Sequence, residues 1–307
     1  MKKVAVIYFT QTGQLLRAVK ATLAPLEKKN EANVSYYEIN PKKKYPYPWS
    51  YLEFFDVFPD AVNGVPCELD MPSLDDAIHA DLVVIAYQPW FLSVCIPINS
   101  FLQTDIAKKL LANKNIVTVV ACRNMWLNAQ EKMKVHFKKL NANLVGHITY
   151  VDKASNLVSL VTVLAFALKG VQGKYLGFFP KYGVSDQELQ TKAPEFGSII
   201  SKHLAKSEYS ELQNELVDAG AVQIKSNLML LEKRGMALFP LYANYVSKKG
   251  TAKTEERRAR VRVFGIVLPT AIFILSPIIT IVSRLVPLIF PGKIRKEVEY
   301  YSHNSLR

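Results

Sequence analysis

Three short stretches hold side chains whose types and spacing fit a single ligand. Thr10-Gln11-Thr12-Gly13-Gln14-Leu15 follows the apolar run Val4–Phe9 and opens a helical pattern of Leu15, Leu16, Val19 and Leu23. Where a strand ends in such a loop at the mouth of a helix, backbone N–H groups converge and the helix dipole favours an anion. Gly13 lets a ligand come close, and Thr10 and Thr12 add hydroxyl donors. The loop suits phosphate, although Thr and Gly also occur in strand-to-helix loops that bind nothing. Tyr87-Gln88-Pro89-Trp90-Phe91 offers two flat rings, Tyr87 and Trp90, able to stack on an extended aromatic ligand. Arg123-Asn124-Met125-Trp126 offers Asn124 and backbone groups for a polar ring edge, with Arg123 to stabilise developing negative charge.

The elements that must position these stretches alternate. Strands are expected at 4–9, 34–39, 81–87, 115–122 and 144–151, with helices from 14 to about 26, from Pro97 through Leu110, and from Trp126 to Leu140. Such alternation predicts an α/β fold, a doubly wound parallel sheet with helices on both faces. The three stretches then leave the carboxyl ends of strands one, three and four, where open parallel sheets bind ligands. Ser185-Asp186-Gln187-Glu188 is a capping-box pattern, and its helix completes a domain of residues 1–206. Two insertions interrupt that domain, at about 41–75 and 154–180. The first is rich in aromatics and lysines and reads as a surface excursion or as a lid over a greasy substrate. The second carries the nearly uninterrupted apolar run Asn156–Leu168, too short to span a bilayer.

Residues 207–307 differ in composition and are expected to form a helical extension. A basic segment, 248–262, precedes an apolar one, 263–290, within which Val263–Ser283 carries no charge. Pro269, Pro277 and Pro287, the interruption at Arg284 and the basic flanks on both sides favour a helix-break-helix anchor that does not cross the membrane. The formal charge of +13 points to an anionic partner, and the basic run beside apolar sequence selects a membrane surface through 248–296. No nucleic-acid motif and no metal-ligand spacing is present. Three scattered cysteines, Cys67, Cys95 and Cys122, argue against a disulfide framework. A cytoplasmic protein, peripheral or monotopic on the inner membrane, is the expected location, with a homodimer among its expected partners.

Phosphate site, stacking plane and hydrogen-bonding edge together describe a flavin mononucleotide, FMN. Neither GxGxxG nor GxxxxGK[ST] occurs, which disfavours a dinucleotide fold or a P-loop. No histidine falls in the three loops; His79, His136, His147 and His203 read as structural or surface residues. The cofactor set is therefore Thr10, Gln11, Thr12, Gly13, Gln14, Leu15, Gln88, Pro89, Trp90, Phe91, Asn124 and Met125, with Arg123 and Tyr87 as the catalytic pair.

Over residues 3–150 and 175–206 these loops resemble those of flavodoxin-like flavoproteins, which implies a five-stranded sheet of order 2-1-3-4-5. Leu15 stands where that family usually has a further hydroxyl. Within the superfamily, the opening stretch, the aromatic insertion, the Ala-Cys-Arg-Asn-Met-Trp loop and the basic-apolar tail resemble the aromatase of bacterial dialkylresorcinol pathways. That resemblance implies FMN-dependent oxidation of a lipophilic 2,5-dialkylcyclohexane-1,3-dione to a 2,5-dialkylresorcinol. It also implies that 251–307 serves the membrane and can be removed without losing flavin. The alternatives are a membrane-associated electron carrier, a quinone or NAD(P)H oxidoreductase, and a flavin-free binding scaffold.

Overall fold

The computed structural model describes residues 1–28 and 30–306, leaving aside the side chains of 227, 276–281 and 283–288. Five strands form the central sheet: β1 (Lys2–Tyr8), β2 (Ala32–Glu38), β3 (Leu82–Tyr87), β4 (Asn115–Cys122) and β5 (Asn143–Val151). All neighbours run parallel, in the order β2-β1-β3-β4-β5. If the four two-residue strands of two small ribbons are also numbered, the same sheet reads 2-1-5-8-9. β3 is buried at every position, as a continuous apolar run covered on both faces should be.

Side chains alternate between two cores. Val4, Val6, Val84 and Val119 face α1 (Gln14–Lys28) and α8 (Asp186–Lys206). Those helices meet so closely that a Cβ on Gly197 would lie 1.8 Å from the Thr22 carbonyl oxygen, so only glycine fits there. Ser185 caps α8, its Oγ accepting from the Glu188 N–H at 3.1 Å. Ala5, Ile7, Ile85 and Tyr87 face the opposite side, towards α4 (Ile96–Phe101), α5 (Asp105–Leu111) and α6 (Leu127–Lys139). The single helix expected after Pro97 is thus two, because Thr104 caps a new start by accepting from the Ala107 N–H at 3.1 Å.

The aromatic insertion folds as α2 (Tyr51–Asp56) and α3 (Phe58–Asn63), and the second insertion supplies α7 (Asn156–Lys169). The C-terminal extension contains α9 (Leu212–Asp218), α10 (Ser226–Ser247), α11 (Glu255–Ile289) and α12 (Pro291–Ser302). It is not an appendage. Met229 and Tyr301 belong to the same core as β3, and Phe55 and Phe58 pack with Ala243, Val246, Val261 and Phe264. The expected break within 263–290 is absent: α11 runs continuously to Ile289 and the chain turns at Phe290. A proline in a helix removes one hydrogen bond and bends it. Packing of α11 on α2, α7 and α10 offsets that loss around Pro269; the side chains of Pro277, Arg284 and Pro287 lie outside the described residues. Among the described residues, no helix is long and apolar enough to cross a membrane.

Candidate functional site

The loops at the carboxyl ends of β1, β3 and β4 open into one cavity of about 800 Å³. Residues 11, 12, 14 and 15, residues 88–92 and residues 121–125 all line it. Its remaining walls come from α2, α7, the loop 182–184, α10 and α11.

The β1 loop is shaped by Thr10, whose Oγ1 accepts from the Gly13 N–H at 3.1 Å. Gly13 takes φ +79°, a conformation that favours glycine, and nothing lies within 4 Å of where its Cβ would be. The N–H groups of the first turn of α1 have no intrahelical acceptor. Thr12 and Gln14 line the cavity beside them. Leu15 is buried in the α1 core, so only its backbone N–H remains for a ligand. Gln11 has a different role from the expected one. Its Nε2 donates to the Pro46 carbonyl at 2.8 Å and its Oε1 accepts from Trp49 Nε1 at 3.2 Å, so both ends of the amide tie the loop to the insertion.

The β3 loop is a hairpin, Pro89–Trp90 against Ser93–Val94. Its turn residues Phe91 and Leu92 take φ +48° and +59°. Left-handed backbone at bulky residues costs on the order of 1–3 kcal/mol each and persists where packing over-determines it. Here Asn128 Nδ2 donates to the Leu92 carbonyl at 2.6 Å, and Phe91 packs among Phe54, Phe55 and Phe58. Trp90 lines the cavity with its plane fixed by near-perpendicular contacts to Phe9, Tyr45 and Trp49 at 5.0–5.8 Å. Tyr87 must be corrected. It shares a strand face with Val83 and Ile85, is fully buried, and its hydroxyl donates to Gln130 Oε1 at 2.6 Å. Burial holds that hydroxyl well above the usual tyrosine range. Tyr87 neither reaches the cavity nor stacks on anything in it.

The β4 loop carries Arg123, one of two arginines among the described residues that line the cavity, the other being Arg234 of α10. Arg123 Nε donates to Ser159 Oγ at 2.9 Å, and Nη2 donates to the Asn156 carbonyl and Oδ1 at 2.6 and 2.7 Å. Among the described residues Arg123 makes no ion pair, and burial lowers its pKa. Asn124 Nδ2 donates to the same Asn156 Oδ1 at 3.0 Å, while the buried Asn124 Oδ1 has no partner among the described residues. A buried amide oxygen left unpaired costs about 1–3 kcal/mol, so this atom calls for a donor. Pro89, Gln88 and Met125 complete the wall between these loops. Among the described residues no histidine lines the cavity and no metal-binding cluster occurs. His147 is buried neutral with its pKa pushed down to about 3, and burial pushes the Cys95 thiol up to about 12.

No family model and no curated protein sequence matches the chain. Similar solved structures include a flavoprotein in complex with FMN from Lactobacillus acidophilus, at 14% identity over 48% of this chain and 93% of that one, TM-score 0.37. A flavodoxin from the domain Archaea is 12% identical over 66% and 98%, TM-score 0.39. A WrbA-like flavodoxin from Agrobacterium tumefaciens is 10% identical over 68% and 99%, TM-score 0.37.

Several residues that shape the site escape the sequence reading. Asn156 and Ser159 sit in the apolar run of α7 yet orient both Arg123 and Asn124; their spacing of three, continued by Thr162, is the polar stripe that signals it. Glu232 of α10, fully buried, accepts from the Asn128 N–H at 2.9 Å and so caps α6 directly behind the β4 loop. Burial pushes its carboxyl up to about 7 against the backbone N–H groups of Asn128, Leu127 and Trp126, which pull it down. The extension therefore supports the loop as well as closing the cavity, where Leu231, Gly235, Phe264 and Leu268 form part of the wall.

Proposed function

We propose that the cavity binds FMN and a lipophilic cyclic dione together, and that the protein is a flavin-dependent oxidoreductase that aromatises the dione. The observation that carries this reading is the convergence of all three sheet-edge loops on one cavity, with Asn124 in its lining. The residues fit the cofactor. Thr12, Gly13 and the first-turn N–H groups of α1 suit its phosphate, Trp90 its ring plane, and the Asn124 wall its polar ring edge. FMN, when bound, supplies a two-electron acceptor.

The chain's own residues do the rest. Conversion of a 2,5-dialkylcyclohexane-1,3-dione to the resorcinol removes two electrons and two protons. A cyclic 1,3-dione enolises readily, so the site needs a cation for the enolate oxygen more than a strong base. Arg123, part-buried and, among the described residues, in no ion pair, is that cation. The apolar walls from α7, α10 and α11 accept alkyl chains. The reading as an electron carrier gains nothing from a cavity of about 800 Å³.

Phosphate recognition gives a direct test of the cofactor assignment. Protein stripped of flavin should bind FMN at least tenfold more tightly than riboflavin, followed by quenching of flavin fluorescence, because only FMN engages the helix N-terminus. Equal affinities, or no binding of either, would contradict it.

A further inference from the structure

The extension leaves a broad apolar surface uncovered. On α10, Leu238, Leu241 and Tyr245 are 61%, 69% and 48% exposed; on α11, Val263, Ile266, Phe273 and Ile274 are 50–64% exposed. The two helices pack side by side, so these residues are neighbours. Leu238, Leu241, Tyr245, Val267 and Leu275 are exposed and at the same time line the cavity. The cavity therefore opens through this surface.

Basic groups rim it. Within the basic segment, Arg257 is buried against Asp56 and Asp60, Arg258 pairs with Glu255 and Lys253 with Glu53, and Arg260 stacks on the Tyr245 ring. That leaves Lys248, Lys249 and Arg262, all exposed and, among the described residues, without an ion pair. Helical spacing puts Lys248 on the stripe of Leu241 and Tyr245, and Arg262 on the stripe of Ile266 and Phe273. An apolar patch bounded by unpaired cations matches an anionic lipid surface: apolar groups reach the acyl layer and lysine and arginine meet the headgroups.

The geometry points to docking of the α10–α11 face on an anionic bilayer, with the cavity mouth between these helices opening to the acyl layer. The proposal rests on the cavity being the substrate site described above, and it adds the route: an alkyl-bearing substrate passes sideways from lipid to the cavity without crossing water. It also relocates the membrane contact. Leu238, Leu241 and Tyr245 of the face come from α10, outside the 248–296 segment, while much of the basic segment is consumed in internal contacts.

The test uses the full chain and vesicles of phosphatidylcholine with or without phosphatidylglycerol. The wild type should co-sediment with the anionic vesicles and bind the zwitterionic ones more weakly. Ile266→Glu with Ile274→Glu, at exposed positions that do not line the cavity, should lower that partition by roughly tenfold or more per residue. Trp49 and Trp90 line the cavity, so brominated acyl chains should quench their fluorescence in the wild type and not in the double variant. Absence of vesicle binding, binding without quenching, or a double variant that binds like the wild type would overturn the proposal. So would a wild-type dimer that the double variant converts to monomer, since the face would then be a self-interface. Neither readout needs turnover. Vesicle binding with quenching but no oxidation of a dione would remove the proposed reaction and leave the docking in place.

Discussion

Replacing Arg123 with alanine is expected to lower turnover of the dione by roughly 10²–10³-fold while FMN remains bound, the usual loss when one group that stabilises an oxyanion is removed. The argument rests on environment. Arg123 is held by Ser159 and Asn156, both neutral, and among the described residues it makes no ion pair, Asp152 acting on it only at longer range. Its charge is thus available to an anion that forms in the cavity. Steady-state kinetics with flavin content measured for each variant would check this. The loss should fall mainly on kcat, and it should shrink as pH rises, because higher pH supplies the enolate that the cation otherwise stabilises. Arg123→Lys should recover part of the rate, since a lysine keeps the charge and loses the forked contacts. An unchanged kcat in Arg123→Ala would remove the residue from the reaction.

Replacing Arg257 with alanine is expected to cost about 3–5 kcal/mol of stability, the range for breaking a buried ion pair from one side. Its side chain is 1% exposed, with Nε 2.6 Å from Asp56 Oδ1 and Nη1 3.2 Å from Asp60 Oδ1. Nη2 also donates to the Asp56 carbonyl at 2.5 Å. Burial already raises Asp60, and Arg257 opposes that rise. Without the arginine, two carboxylates face each other at the seam between the insertion and α11. Phe264 and Leu268 sit about two and three turns further along the same helix and wall the cavity. Urea denaturation would show the loss as a lower midpoint, and KM for long-chain substrate should rise with it. A midpoint within experimental error of the wild type would refute the account of this seam.

The same seam bears on removal of 251–307. The composition of that segment reads as a detachable anchor, but deleting it would take away Arg257, Phe264 and Tyr301 and uncover Phe55 and Phe58. Charge and apolar runs in a sequence show that a segment is basic or greasy. They do not show which basic residues are matched by acids two hundred positions away, as Arg257 is by Asp56.

What was legible followed from local rules. Strand and helix periodicity located all five strands of the sheet, and the loops at its carboxyl edge followed from their order along the chain. The insertion's α2 lines the cavity beside α11, a placement that its lack of periodicity hid in the sequence. Tyr87 was misjudged for a reason that sits in the strand itself. It ends an uninterrupted apolar run, so nothing in residue type marks which face it takes, whereas pairing with β4 and alternation from Val83 fix it towards Gln130. Gln11 was misjudged because its partners, Pro46 and Trp49, belong to an insertion without periodicity. Glu232 was missed because a lone acid in an amphipathic helix reads as a solvated face until α10 is seen packed on α6.

The most direct measurement is absorbance of the FMN-loaded protein mixed without oxygen with one equivalent of a 2,5-dialkylcyclohexane-1,3-dione. The account requires the oxidised flavin band to bleach in a single turnover and the resorcinol to form in equal amount. A band that stays unchanged at saturating dione, in protein shown to hold FMN, would contradict it.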